Sequence, residues 1–177
     1  MAGELIFLDV ASKCGVAEGL VGAAVPTIYC ERFARPDERI EAGLRRAGNW
    51  MAARIQLSRP RAVYIEAPLS SGVWGKTNSN TTLLLQSLWA ALATVCGIAN
   101  VPCRRGNVQT IRKFFVGEGR PDDPKDRVME VCQRLGWKPK NYDEADAAAG
   151  WYWACSLYEG GPRNPSQHWA WGEGALL

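Results

Sequence analysis

The sequence predicts an α/β domain: a mixed five-stranded sheet, three antiparallel N-terminal strands plus two parallel ones, flanked by helices. Three observations carry this. The N-terminal segment alternates short apolar runs with glycine and proline, the pattern of meandering strands joined by tight turns. From Pro36 onward, amphipathic helical stripes alternate with two further apolar β-runs, which implies helices packed on a mixed sheet. The 177 residues are 47% hydrophobic and 22% charged, enough for one domain with a full core and too apolar for a disordered chain.

The elements follow in order. Leu5-Ile6-Phe7-Leu8-Asp9-Val10 is an apolar run holding a carboxylate near its end, a buried strand. Two strands follow, Cys14–Leu20 and Val25–Phe33, with Gly22 and Pro26 near the turns. Pro36-Asp37 opens a helix in which Ile40, Leu44, Ala47, Met51 and Ile55 form one stripe, and Pro60 ends it. Ala62–Glu66 is a second buried strand ending in a carboxylate, stopped by Pro68. A loop over 67–79 leads to a helix capped by Ser79 or Asn80. That helix is apolar on nearly every side, so it is either central or part of a subunit interface. Asn100–Arg104 reads as a short strand. Asn107 caps a helix that Gly117 closes. Asp123-Pro124 starts the next, with Pro in its first turn and Gly136 after it. The last helix runs from near Asp143 to about Tyr158. Residues 1–158 thus make one domain, and 159–177, with Trp169 and Trp171, a C-terminal tail or arm.

Composition excludes several classes. The one histidine, His168, leaves no His-rich zinc site, and any Ser-His-Asp or Cys-His mechanism would depend on it. The six cysteines include no Cys-x-x-Cys pair and sit mostly among apolar neighbours, as free thiols do in a reducing cytoplasm. The N-terminus lacks the basic and long apolar stretches of a signal peptide, and no apolar run approaches a membrane span. The expectation is a cytoplasmic protein with no membrane partner.

The acids carry the chemistry. Asp9 and Glu66 each close an apolar β-run, and strands one and four of a mixed sheet can be neighbours. Asp143 and Asp146 are spaced i, i+3, on one face of a helix start. Each alone also reads as a cap or a solvated group. Asp146 lies in an alanine-rich run that looks buried, and buried acids need partners. Four convergent carboxylates persist only with cations, and an oxygen-only set favours Mg²⁺ or Mn²⁺. Two such ions support in-line phosphoryl displacement by water without any histidine.

The chain resembles RuvC-type Holliday junction resolvases of bacteria and phages, which have an RNase H-like fold. The resemblance spans about residues 4–158. It rests on Ile6-Phe7-Leu8-Asp9, Val63-Tyr64-Ile65-Glu66, Val116-Gly117-Glu118-Gly119-Arg120 with Lys125-Asp126-Arg127-Val128, and Asp143-Glu144-Ala145-Asp146-Ala147-Ala148-Ala149, in that order. It implies a Mg²⁺-dependent endonuclease, with two ions per site that Mn²⁺ can replace. The metal ligands would be Asp9, Glu66, Asp143 and Asp146, and Arg112 and Lys125 would lie near the scissile phosphate, Lys125 as a catalytic residue. It also implies a homodimer acting on four-way DNA junctions in recombination, repair or phage DNA processing. The chain departs from the family's Asp-Pro-Gly-Ser after the first strand, where it has Asp9-Val10-Ala11-Ser12, and Arg112 stands where a lysine is usual.

Residues 104–140 hold ten basic and five acidic side chains, a net +5 in a chain of net +3. Such a patch can neutralise phosphates. DNA contacts are expected from Arg112, Lys113, Arg120 and Lys125, and from Trp74, an aromatic able to stack on an unpaired base, with Lys76 beside it. Competing readings are a nuclease for flaps, forks or RNA–DNA hybrids, and a DNA-binding protein without catalysis. An actin-like or sugar-kinase-like ATPase would need Gly-rich phosphate loops and a longer chain.

Overall fold

The computed structural model describes residues 3–67, 79–118 and 122–165. The strands are β1 (Glu4–Asp9), β2 (Lys13–Leu20), β3 (Thr27–Arg32), β4 (Ala62–Glu66) and β5 (Cys103–Gly106). The helices are α1 (Ile40–Ser58), α2 (Ser79–Ile98), α3 (Val108–Val116), α4 (Pro124–Arg134) and α5 (Tyr142–Ser156). The five strands lie in the order β3-β2-β1-β4-β5. β1 pairs antiparallel with β2 and parallel with β4, β2 pairs antiparallel with β3, and β4 pairs parallel with β5. This is the mixed sheet expected from the sequence.

The two-residue period of a strand divides β1 between two cores. Ile6 and Leu8 face α1 and α2, where Met51, Leu88, Leu92 and Cys96 are fully buried. Leu5 and Phe7 face α3, α4 and α5 with Phe115, Trp137, Trp151 and the alanines of α5. Because β1 is buried on both faces, its sequence is apolar without alternation.

Four expectations need correction. α1 starts at Ile40, not at Pro36-Asp37: Asp37 sits at φ +60° in a turn, and Glu38 accepts the Arg35 N–H at 3.2 Å and pairs with Arg46 instead of entering the helix. Ser79 and Asn80 belong to α2 itself, so its cap lies outside the described residues. β5 runs Cys103–Gly106 rather than 100–104, because Asn100 at φ +55° and the Val101 N–H to Cys96 carbonyl bond close the end of α2, and Pro102 has no N–H to give the sheet. No apolar run is expected to approach a membrane span, yet α2 is long and apolar enough to cross one by length and composition. Leu88, Leu92 and Cys96 nonetheless pack under the sheet, leaving Leu83 and Ile98 exposed on the outer side. The six cysteines are unpaired, as expected.

Candidate active site

Asp9 and Glu66 come together through strand register. Leu8 is aligned with Ile65 across the parallel β1·β4 pair, so the next residues of the two strands, Asp9 and Glu66, stand side by side. Neighbouring strands are ~4.8 Å apart, and residues two apart share a face. Asp9 therefore faces the same way as Phe7, and Glu66 the same way as Tyr64, toward α5.

α5 brings the other two acids onto this face. Its N-cap is Asn141, whose side chain accepts the Glu144 N–H at 3.0 Å. The buried Glu144 carboxylate accepts the Lys140 N–H at 2.7 Å and an Asn141 amide N–H at 3.3 Å. This reciprocal cap frees Asp143 from capping duty. Gly15 lies opposite Asp9 in the β1·β2 ladder, on the same face. A Cβ there would overlap the Asp143 carbonyl oxygen and stand 2.7 Å from its carbon. The missing side chain lets the start of α5 rest directly on β2, next to Asp9. Further along, a Cβ at Gly150 would overlap the Phe7 ring, so a second glycine lets α5 lie close over β1.

All four acids are half-buried. Loss of water pushes the Asp9 carboxyl well above the usual range, and the charges of Glu66, Asp146 and Asp143 push it further, while Lys125 opposes them. Glu66 is pushed up to about 7, first by desolvation and then by Asp146, against Arg112. Asp146 is raised by burial, with Arg112 and Lys125 pulling it back and Asp143 adding to the rise. The acids thus form one mutually repelling group tempered by two cations. Among the described residues, no three His, Cys, Asp or Glu side chains stand close enough together to grip one ion as they are, and no ion pair neutralises any of the four acids. The buried Nε of Arg112 has no hydrogen-bond partner. An oxygen-only set of acids, with the unpartnered Arg112 Nε beside it, has the donor chemistry of a divalent cation and an anionic ligand together.

The structure thus places five of the expected residues, Asp9, Glu66, Asp143, Asp146 and Lys125, in one electrostatic group, with Arg112 as its sixth member. Lys113 is exposed on α3, turned roughly 100° around the helix from Arg112. Trp74, Lys76 and Arg120 lie outside the described residues, as do Trp169 and Trp171. Part of the basic segment is self-neutralised: Arg127 and Arg134 both pair with Glu130 along α4. Sequence reasoning missed Gly15, Gly150 and the Asn141–Glu144 cap. The cap was readable as Asn-x-x-Glu before an apolar run, and Gly15 as a glycine inside a strand, a frequent mark of close backbone approach.

No protein-family model and no curated protein matches the sequence. Solved structures do. Thermus thermophilus RuvC aligns with a TM-score of 0.66 at 16% identity, over 90% of this chain and 98% of its own. T. thermophilus RuvC in complex with Holliday junction substrate aligns at 0.67 and 17%, over 88% and 96%. The chain has the RuvC fold. The yeast mitochondrial Holliday junction resolvase aligns at 0.59 and 12%, over 87% of this chain and 80% of that one. The RuvC fold here is the RNase H-like arrangement, with the acids at the junction of β1, β4 and α5.

Proposed function

We propose that this chain is a metal-dependent, structure-selective DNA endonuclease that nicks four-way junctions as a cytoplasmic homodimer, in recombination, repair or phage DNA processing. The observation that carries the reading is the convergence of four carboxylates from β1, β4 and α5, opposed by Lys125 and Arg112. Likeness of fold to a RuvC solved with Holliday junction substrate supports branched DNA as the partner. The exposed Leu83 and Ile98 on the outer side of α2 support a second copy docked there. The domain proper would be residues 1–158, with 159–177 a C-terminal tail or arm.

Asp9, Glu66, Asp143 and Asp146 would hold two Mg²⁺ ions, or Mn²⁺ in their place. Bound there, such ions would supply activation of water and stabilisation of the leaving oxygen in an in-line displacement. The protein's own groups do the rest. Asp9, which feels all three other acids, sits at the centre of the set. Glu66, raised to near 7 first by burial and then by Asp146, would be favoured in its charged form by a cation held there. Arg112 and Lys125 hold the phosphate, Arg112 through a fork already unsatisfied at Nε. Lys113, Arg120, Lys76 and Trp74 contact the DNA arms.

The test is cleavage of a labelled four-way junction, a flap, a fork, an RNA–DNA hybrid and a linear duplex, with Mg²⁺ or EDTA. Paired nicks confined to the junction and abolished by EDTA are expected. Asp146→Asn should cut at least roughly 100-fold more slowly while still binding the junction. Cutting by that variant at the parent rate overturns the site. Equal cutting of flap or hybrid keeps the site and transfers the substrate to the wider branched-DNA class.

A further inference from the structure

We infer that Tyr142 is a positioning residue for this reaction: its ring and hydroxyl hold the start of α4 so that Lys125 stays over the acid group. The inference rests on the phosphate-holding role proposed for Lys125.

Lys125 lies in the first turn of α4, exposed, on a flexible four-carbon stem. Such a side chain loses much rotamer freedom when fixed, so it stays over a site only if something holds it. α4 is poorly anchored where Lys125 leaves it. Its N-cap, Asp123, makes no side-chain capping bond. Tyr142, the first residue of α5, supplies what is missing. The Lys125 Nζ stands 5.7 Å from the centre of its ring, within cation–π range. The Tyr142 hydroxyl donates to the Asp126 carboxylate at 2.6 Å.

These two contacts act together. The hydroxyl ties the first turn of α4 to the first turn of α5, the turn that carries Asp143. It also engages the carboxylate next to Lys125 in the chain, an anion that could otherwise draw the ammonium away from phosphate. The ring then gives the ammonium a seat that carries no full negative charge, so Lys125 remains free to meet a phosphate. Among the described residues, core packing does not account for Tyr142. It is 42% exposed, and none of the ring pairs that build the α3–α5 core includes it.

The test compares Tyr142→Phe, Tyr142→Ala, Lys125→Met and the Tyr142→Ala/Lys125→Met double variant in single-turnover junction cleavage with Mg²⁺. Junction affinity is measured in EDTA. Tyr142→Ala should slow cleavage about tenfold and leave affinity within about twofold, and Tyr142→Phe, which keeps the ring, should recover part of the loss. In the Lys125→Met background, Tyr142→Ala should cost nothing more. An equal loss in both backgrounds, or no loss in either, overturns the inference. A second readout does not depend on activity. In protein carrying ¹³C-labelled lysine, the Lys125 ε-methylene should be shifted upfield by the ring current, and Tyr142→Ala should abolish that shift. If the parent cuts no branched substrate, the nuclease reading fails by itself. An unshifted Lys125 resonance sinks the positioning contact whatever the parent cuts.

Discussion

Glu66→Gln should stabilise the ion-free protein at pH 8, and by only about a quarter as much at pH 5. The folded carboxyl lies near 7, against an ordinary value of 4.5. Below 4.5, folded and unfolded chains both hold the proton, and the site costs nothing. As pH rises from 4.5 to 7, the unfolded chain ionises while the fold still resists, so stability falls. Above 7 both are ionised and the loss levels off. At 1.36 kcal/mol per pH unit the loss comes to about 3 kcal/mol, an upper figure because Glu66 keeps some contact with water. For a domain of this size, that is a rise in Tm of roughly 6–10 °C for the Gln variant over the parent at pH 8. The assay is thermal unfolding of both proteins in EDTA from pH 5 to pH 8.5, repeated with saturating Mg²⁺. The cation should stabilise the parent and close the gap, because binding to the folded state adds to its stability. A parent–variant difference that stays flat across this range would refute the assignment of Glu66 to the repelling group.

Two further predictions concern glycines. Gly15→Ala places a methyl against the Asp143 carbonyl, a backbone atom that cannot swing aside. It should cost about 1–3 kcal/mol in urea unfolding and, by lifting the acids of α5, roughly 100-fold in cleavage; parental cleavage by a folded variant would show that this close approach does not set the site. Gly150→Ala presses on the Phe7 ring and should destabilise by a similar ~1–3 kcal/mol. Adding Phe7→Leu should recover part of that loss, and a purely additive double variant would argue against the clash.

What was legible in the sequence was what one element carries within itself. The apolar runs before Asp9 and Glu66 are strands because both their faces are covered, and their parallel pairing brings the two carboxylate ends side by side. The i, i+3 spacing of Asp143 and Asp146 reads directly from helical geometry. The errors lie where one segment answers to another. Pro36-Asp37 resembles a helix start, yet the Arg46–Glu38 pair holds that stretch as a turn. Asp143 resembles a cap, yet Asn141 takes the role and leaves Asp143 to the acid group. Gly15 carries no side chain to read, and its importance comes from a backbone atom more than a hundred residues away in sequence. The even spread of basic residues from 104 to 140 also concealed the pairing of Arg127 and Arg134 with Glu130.

The position of β1, flanked by β2 on one edge and β4 on the other, bears on the order in which the molecule is made. β2 follows directly and can pair with β1 early in synthesis. The other edge of β1 stays open until β4 emerges, with the whole of α1 in between. Asp146 arrives only with the last helix. A nascent chain is made at about 5–20 residues per second, so for several seconds the ribosome carries a sheet with two of the acids and no α5 to bring the others. Long-range pairing of this kind folds slowly. The acid group therefore cannot exist before α5 has been made, and any cutting chemistry it supports begins only after that.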